Sequence, residues 1–179
     1  LYQPSVAGSR LRVGWVGAGQ HKGDLELVTE VVRELAGDVD WVFMGMCTDE
    51  IRPFIKEFHG FVSISEYPAK MASLKLDIAI APLEANPFNE CKSNLRLLEY
   101  GAMGFLYQTQ NPPVLRCSDS AVEWVAALRR LMIDEALRSQ MGADLLAWVE
   151  QNYMLKNKQQ EWMSAIFDAT DGANAESAT

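Results

Sequence analysis

The order of apolar and polar residues along the chain alternates short apolar runs with amphipathic segments. Four of the apolar runs have the length and the β-branched or aromatic content of strands. They are Leu11–Val16, Val39–Gly45, Phe61–Ser65 and Leu76–Leu83. The last run is apolar nearly throughout, which is typical of a strand buried on both faces of a sheet. The pattern therefore predicts four strands separated by helices.

The helical segments show apolar residues at a spacing of three and four. In the first half of the chain we predict helices at Asp24–Leu35, at Asp49–Phe58 with an interruption near Pro53, and within 67–75. A further helix should begin at about Lys92, with Asn89 or Glu90 near its cap. The last three predicted helices are Ser120–Met132, Glu135–Gln151 and Lys156–Phe167. Strands that alternate with helices favour an α/β fold with a doubly wound, Rossmann-like parallel sheet. In such sheets ligands bind beyond the carboxyl ends of the strands, which directs attention to the loops 17–23, 44–49, 65–69 and 84–93.

The first of these loops reads GAGQHKG and has the features of an anion site. Gly17 and Gly19 allow a close approach of the backbone to a ligand, and His21 and Lys22 follow at the start of a helix. The third glycine, Gly23, comes one residue later than in the G-x-G-x-x-G dinucleotide fingerprint, and no acidic residue ends the second strand. We therefore expect no NAD site. A turn that merely connects strand and helix stays open as the alternative.

The segment NPFNECKSNLRLLEYGAMG, residues 86–104, carries polar side chains along the start of an apolar helix. Lys92 and Glu99 are two helical turns apart, so they share a face with an axial separation of about 10 Å. Lys92, the Ser93 hydroxyl and helix-end amides suit phosphate, whereas a carboxylate can accept from both hydroxyls of a ribose. This arrangement fits a nucleoside diphosphate. A solvent-exposed helix face, with Lys92, Arg96 and Glu99 in surface ion pairs, fits the pattern equally well.

Composition narrows the classes of function. The 179 residues suffice for one sizeable α/β domain, and a formal charge of −8 argues against a nucleic-acid partner. Three widely spaced cysteines without a C-x-x-C pair indicate a reducing compartment, so we expect a cytoplasmic chain. No His or Cys cluster has metal-ligand spacing, and no apolar run approaches 18 residues. We expect neither a metal site nor a membrane span, although other parts of a parent protein could bring the chain to a membrane.

The segment APLEANPFNECKSNLRLLEYGAMG, residues 81–104, resembles the donor-binding segment of GT-B glycosyltransferases of the group 1, family 4-like type. That family carries a pattern like P-L-x-x-x-x-F-N-x-x-K-S-x-L-K-x-L-E-Y-x-A-x-G. The matching positions are Pro82, Leu83, Phe88, Asn89, Lys92, Ser93, Leu95, Leu98, Glu99, Tyr100, Ala102 and Gly104, with Arg96 in place of the usual lysine. Weaker similarity in the first strand–loop–helix unit and in the closing helices extends the likeness to roughly residues 11–168.

The resemblance implies the nucleotide-sugar-binding, C-terminal half of a two-domain, hexosyl-type glycosyltransferase of polysaccharide biosynthesis. Residues 1–10 would be a linker, 11–168 the donor domain and 169–179 a disordered tail, with the acceptor domain absent from this chain. The enzyme would be retaining and metal-independent, and the isolated domain inactive. Its partners would be a nucleotide sugar, as donor substrate rather than cofactor, and a glycan or lipid-linked acceptor held by the missing N-terminal domain. A chain that starts at Leu1 fits a domain cut from a longer protein.

The resemblance also assigns roles to individual residues. Glu99 would hold the ribose hydroxyls, and Lys22 would lie near the diphosphate as the family's loop lysine. Lys92 and Ser93 would contact the phosphate and the leaving sugar, which makes Lys92 and Glu99 the catalytic candidates. Tyr67 would pack near the base. Gly17, Gly19, His21 and Asn89 complete the expected binding set.

Three departures from the family pattern keep other functions open. Cys91 stands where many relatives have a second glutamate, with Glu90 one step away, and Gly17 stands where relatives often have a phosphate-binding arginine. After GAMGF the chain continues as LYQTQNPP instead of PVV and a strand, so the position of a fifth strand stays open. A non-catalytic nucleotide-sugar-binding or scaffold domain, or a nucleotide-sugar epimerase of the same architecture, are the alternatives.

Overall fold

The computed structural model describes residues 10–91, 95–102, 115, 117–154, 156–161 and 163–164. The predicted tail and nearly all of the predicted linker lie outside these residues, as does the join after GAMGF. In the part of the chain described, no helix is both long and apolar enough to cross a bilayer.

The described strands form one parallel sheet in the order β3-β2-β1-β4. They are β1 Arg12–Gly17, β2 Asp40–Gly45, β3 Glu57–His59 and β4 Ile78–Ala79. β1 and β2 pair along their whole length, from Arg12 opposite Asp40 to Gly17 opposite Gly45. The predicted α/β class with a parallel sheet is therefore confirmed.

Two elements near the second strand differ from the prediction. The segment Phe61–Ser65 is not a strand; β3 is Glu57–His59, which lies inside the segment predicted as a helix. Pro53 cannot continue an α-helix, and the predicted helix Asp49–Phe58 is reduced to a single 3-10 turn at Arg52–Phe54. The chain then pairs with β2 directly, because the Lys56 N–H donates to the Trp41 carbonyl.

The helices lie on both faces of the sheet. They are α1 Lys22–Glu26, α2 Thr29–Glu34, α3 Tyr67–Ser73, α4 Pro87–Glu90, α5 Leu95–Ala102, α6 Ala121–Ile133 and α7 Glu135–Tyr153, followed by helical residues at 156–161 and 163–164. The predicted helix Asp24–Leu35 is divided into α1 and α2 at a tight turn, where the Val28 N–H bonds to the Leu25 carbonyl. Asn89 and Glu90 belong to the separate short helix α4 rather than to the cap of α5.

Each face of the sheet has its own hydrophobic core. One core contains Trp15, Trp41 and Phe43 packed against α1, α2 and α6. The other contains Val16, Val42 and Met44 packed against side chains of α3, α5 and α7, including Met71, Tyr100 and Leu145. Side chains alternate between the faces along each strand, so neighbouring residues of β1 serve opposite cores. Because the strands are parallel, their carboxyl ends lie together at one end of the sheet, which we call the carboxyl edge. There α5 meets the strands between the two layers.

Candidate functional site

The carboxyl ends of β1 and β2 consist of two paired glycines. Gly17 is opposite Gly45, and Gly45 has a φ of 96°, in the left-handed region that favours glycine. A Cβ atom at position 45 would collide with the Gly17 carbonyl oxygen. The two central strands therefore present backbone rather than side chains at the edge where α/β sheets bind ligands.

The helix α5 is held against this edge by Tyr100. Its fully buried hydroxyl accepts from the backbone N–H of Val16 at 3.0 Å, 84 positions away in the sequence. On the other side of α5, a Cβ on Gly101 would stand 2.5 Å from Val149 Cγ2, so α5 and α7 are in close contact. These two contacts fix the position of α5 and with it the side chains of Arg96 and Glu99.

Glu99 meets Tyr67 across the carboxyl edge. The Tyr67 hydroxyl donates to Glu99 Oε2 at 3.1 Å, and the Glu99 side chain is half-buried. Burial raises the pKa of Glu99, although the Tyr67 hydrogen bond and the charge of Arg96 act in the opposite direction. Burial and the Glu99 charge also raise the pKa of Tyr67, so the tyrosine stays a donor. The sequence placed both residues near one ligand, and the structure brings them together through a direct hydrogen bond.

Arg96 lies one helical turn before Glu99 and faces β1. Its guanidinium carbon is 5.2 Å from the centroid of the Trp15 ring, in a cation–π contact. Its Nη2 atom lies 2.7 Å from the point where a Cβ on Gly17 would stand. From the sequence, Arg96 was a replacement for the family's lysine and a candidate for surface ion pairs, with no role in ligand binding. Its closeness to Gly17 depends on packing between α5 and β1, which the local sequence does not reveal.

Asp24 joins the first glycine loop to the loop after β4. It is 2% exposed, and its Oδ2 atom lies 2.6 Å from His21 Nδ1. Its Oδ1 atom accepts from the Glu84 N–H at 2.8 Å and from Asn89 Nδ2 at 3.0 Å. Two expected site residues, His21 and Asn89, are thus connected through a carboxylate that the sequence analysis did not single out. The sequence feature that could have identified Asp24 is its position as an acidic residue in the first turn of a helix that follows a glycine loop.

Lys22 and Gly23 have different surroundings from those of Glu99. The Lys22 side chain is 70% exposed, and its Nζ atom lies 3.8 Å from Glu26 Oε1, a weak surface pair. A Cβ on Gly23 would collide with the Glu84 carboxylate, so this glycine accommodates a side chain of the same protein. Gly19 has no atom of another residue near its Cβ position. Lys92 and Ser93 lie outside the described residues.

A cavity of about 200 Å³ lies beside β4 but not beside Glu99. Its lining includes Leu27, Leu83 and Trp124, and Trp124 belongs to the core of the α6 face. Tyr67, the partner of Glu99, packs against the opposite core. Glu99 and Tyr67 therefore do not line this cavity. Among the residues the structure describes, no group of three or more His, Cys, Asp or Glu side chains has an arrangement suited to a metal ion.

Comparison with known proteins identifies the fold. No protein-family model matches the chain, and no curated protein sequence matches it. Among solved structures it is similar to WaaG, a glycosyltransferase involved in lipopolysaccharide biosynthesis, with a TM-score of 0.59 and 14% identity over 86% of this chain and 46% of that chain. It is also similar to Anabaena HepE in complex with UDP and glucose, with a TM-score of 0.64 and 10% identity over 88% of this chain and 48% of that chain.

A third similar structure is a candidate UDP-N-acetylglucosamine 2-epimerase from Listeria monocytogenes, with a TM-score of 0.51 and 12% identity over 76% of this chain and 39% of that chain. The present chain spans about half the length of WaaG and HepE. At these identities the likeness shows the fold alone. The chain has the Rossmann-like architecture found in GT-B glycosyltransferases.

Proposed function

We propose that this chain is the donor-binding domain of a glycosyltransferase that moves a sugar from a nucleoside-diphosphate donor to a glycan or similar acceptor. One observation carries the proposal: the half-buried Glu99, held by the Tyr67 hydroxyl, stands at the carboxyl edge of a parallel sheet. The acceptor would bind to a second domain outside this chain. The absence of a disulfide framework among three cysteines supports a cytoplasmic location for such an enzyme.

Glu99 would bind the ribose of the donor. A carboxylate offers about four lone-pair positions, so an oxygen that already accepts from Tyr67 leaves room for two ribose hydroxyls. Tyr67 would then orient the carboxylate. This differs from the expected role of Tyr67 beside the base, since its hydroxyl hydrogen-bonds to Glu99 at 3.1 Å.

The diphosphate would lie toward the first glycine loop. The backbone at Gly17 and Gly19, with His21 and Lys22 after it, would meet its oxygens. Asn89 would contribute from α4, the short helix after β4, and Asp24 already connects Asn89 to His21. Lys92 and Ser93 belong to the proposal through the sequence resemblance.

Donor cleavage explains why positive groups would be needed here. When the sugar–phosphate bond breaks, its electron pair moves to the phosphate oxygen and positive charge develops on the sugar. Preorganised amides with Lys22 and Lys92 would stabilise the departing phosphate. Retention of configuration and metal independence are part of this proposal. They are tested with the two-domain parent enzyme by product NMR and by activity in the presence of a chelator.

The first test is calorimetric titration of the chain with UDP, GDP and TDP and with the corresponding nucleosides. We expect saturable binding that needs the diphosphate and prefers one base. The Glu99→Gln variant should lose about tenfold or more in affinity, because a charged acceptor of hydroxyl hydrogen bonds is replaced by a neutral one. The control is Glu34→Gln, a surface carboxylate on α2 that pairs with Arg129. Equal affinity in wild type and Glu99→Gln would contradict the assignment.

The likeness to the Listeria structure favours an epimerase as the second candidate. A nucleotide-sugar epimerase needs no acceptor, so the parent protein would change UDP-N-acetylglucosamine when incubated with it alone. Proton NMR of the nucleotide sugar distinguishes the candidates. A new sugar stereoisomer in the absence of acceptor supports the epimerase, whereas an unchanged donor that is consumed when acceptor is added supports the transferase.

A further inference from the structure

We propose that Arg96 binds the diphosphate of the donor nucleotide at the carboxyl end of β1. This deepens the proposed function and rests on it. The role is new for this residue, which the sequence pattern placed only among surface ion pairs.

The guanidinium of Arg96 lies at the carboxyl end of β1. Gly17 ends β1 and lacks a side chain, and the Trp15 ring and Arg96 Nη2 fill the adjoining space, with Nη2 at 2.7 Å from the Cβ position of Gly17. The positive charge of Arg96 on α5 thereby lies beside the backbone at the carboxyl end of β1. A ligand anion that lies along the loop after β1 would meet the guanidinium there.

Arg96 is held in position by packing on Trp15, and among the described residues it forms no ion pair. Its guanidinium lies 5.2 Å from the ring centroid of Trp15, and Trp15 is fully buried in the sheet core. Stacking on a fixed ring restricts the rotamers of the long side chain before any ligand arrives. Less conformational entropy would then be lost on binding.

The hydrogen-bonding groups of Arg96 also favour a ligand. Several other arginines of the described chain donate to an oxygen of the protein: Arg12 to Glu57, Arg129 to Glu34, and Arg138 to the carbonyls of Leu131 and Met132. Within the described residues, no carboxylate or carbonyl oxygen accepts a hydrogen bond from Arg96. A partly buried guanidinium with five N–H donors and no such acceptor favours an anionic ligand that can accept two bonds at once.

Arg96 and Glu99 also lie close together on the same helix. The two residues are three positions apart on α5, so they share a face with an axial offset of about 4.5 Å. The charge of Arg96 lowers the pKa of Glu99, although burial outweighs it. A ligand with a hydroxylated part beside an anionic part matches this pair. Ribose at Glu99 and diphosphate at Arg96 is the corresponding orientation of a nucleotide.

The test compares a nucleoside diphosphate with its nucleoside in variants of the full chain. UDP, GDP and TDP, together with uridine, guanosine and thymidine, are titrated into wild type, Arg96→Gln and Arg96→Lys. We expect Arg96→Gln to weaken the best diphosphate by roughly tenfold to a hundredfold and to leave its nucleoside within about twofold, because a charge-assisted contact to phosphate is lost. Arg96→Lys keeps the charge without the planar fork, so it should restore part of the loss.

The matched control is Arg33→Gln. Arg33 also lies over an aromatic ring, 5.7 Å from the centroid of Phe54, but it belongs to α2 and pairs with Glu30. This variant should bind the diphosphate as wild type does. Thermal unfolding of each variant shows whether it is folded, and the ratio of diphosphate to nucleoside affinity separates phosphate binding from a general weakening of the site.

Each outcome has a distinct meaning. If wild type binds a diphosphate more tightly than its nucleoside and Arg96→Gln keeps the same ratio, the role of Arg96 is overturned and the proposed function stands. Equal weakening of diphosphate and nucleoside also overturns it, since the residue then supports the site without contacting phosphate. If wild type binds no diphosphate, the proposed function is overturned and this inference with it.

Discussion

The two edges of the sheet hold charged side chains in opposite ways. At the amino edge, the Arg12 guanidinium donates to both carboxylate oxygens of Glu57 at 2.7 and 2.9 Å, and its backbone N–H donates to Asp77 Oδ2 at 2.8 Å. The hydrogen bonds and charge of Arg12 lower the pKa of Glu57 to about 2. At the carboxyl edge, burial raises the pKa of Glu99. Glu57 thus has a cationic hydrogen-bond partner at the amino edge, whereas Glu99 at the carboxyl edge accepts from the neutral Tyr67 hydroxyl.

This difference separates a charged pair that stabilises the sheet from the charges that the proposed function assigns to a ligand. A fully bonded pair such as Arg12–Glu57 connects β1 to β3 and stabilises the sheet. Glu99 is partly buried, and within the described residues no cation is in hydrogen-bonding contact with it. Such a carboxylate destabilises the folded state, and groups of this kind concentrate at functional sites. The free energy lost at Glu99 would be recovered when ribose hydroxyls bind. Three predictions test this comparison.

The largest effect is expected for Gly45→Ala at the carboxyl edge. The φ of 96° disfavours any L side chain, and the new Cβ would collide with the Gly17 carbonyl oxygen. We expect a loss of about 3 kcal/mol in the free energy of unfolding, measured by urea denaturation, because strain and a backbone clash combine. Diphosphate binding should weaken as well, since Gly17 would have to move.

The control for that substitution is Gly37→Ala. A Cβ at position 37 meets no atom within 4 Å, and Gly37 follows α2 away from the carboxyl edge. It should change the free energy of unfolding by less than about 1 kcal/mol. A similar loss in both variants would show that the carboxyl edge is not unusually constrained.

An intermediate effect is expected for Arg12→Gln at the amino edge. Removing the guanidinium leaves Glu57 without its main partner, and we expect a loss of about 1–2 kcal/mol at pH 7 in urea denaturation. Because the pKa of Glu57 is lowered by folding, its contribution is present above about pH 4.5 and disappears as the pH falls toward about 2. Wild type should therefore lose more stability than Arg12→Gln between pH 5 and pH 3. If wild type and Arg12→Gln lose the same stability over this pH range, Glu57 does not contribute to the pH dependence.

The smallest effect on stability is expected for Glu99→Gln, and it has the opposite sign. Folding raises the pKa of Glu99, so the ionised group destabilises the fold above its ordinary pKa and stops doing so as the pH falls below it. Glutamine can still accept from Tyr67 and carries no charge. The melting temperature should rise by about 1–3 °C at pH 7, and the gain should vanish near pH 4. Glu57→Gln is the matched contrast, because it should lower the melting temperature at pH 7.

Much of the architecture was predictable because it depends on local pattern. The apolar runs gave β1, β2 and the region of β4, and the helical spacing gave α6 and α7 nearly to the residue. The third strand was predicted at Phe61–Ser65 instead of Glu57–His59, because three residues are too few for alternation to stand out and they follow a segment with helical spacing. Its register is decided by pairing with β2 and by the hydrogen bonds that the Arg12 guanidinium donates to Glu57, 45 positions away.

The candidate site was predictable only in part. The glycine loop and Glu99 stand out by residue type and spacing, and the sequence resemblance added Tyr67 and Asn89. Asp24 and Arg96 did not stand out, because a buried carboxylate and a stacked guanidinium look like any helix charge in the sequence. Their proposed roles depend on tertiary contacts, such as those of Asp24 with Asn89 and of Arg96 with Trp15.

The sequence by itself determined the α/β class, the central strands and the loops that meet at one edge, because hydrophobic periodicity acts over a few residues. Only the tertiary structure decided which polar groups meet. It brought Tyr67 to Glu99 across 32 positions, Asn89 to Asp24 across 65, and Arg96 to the bare backbone of Gly17. Such contacts are set by the packing of α5 and α4 against the sheet, and packing depends on the shapes of surfaces far apart in the chain.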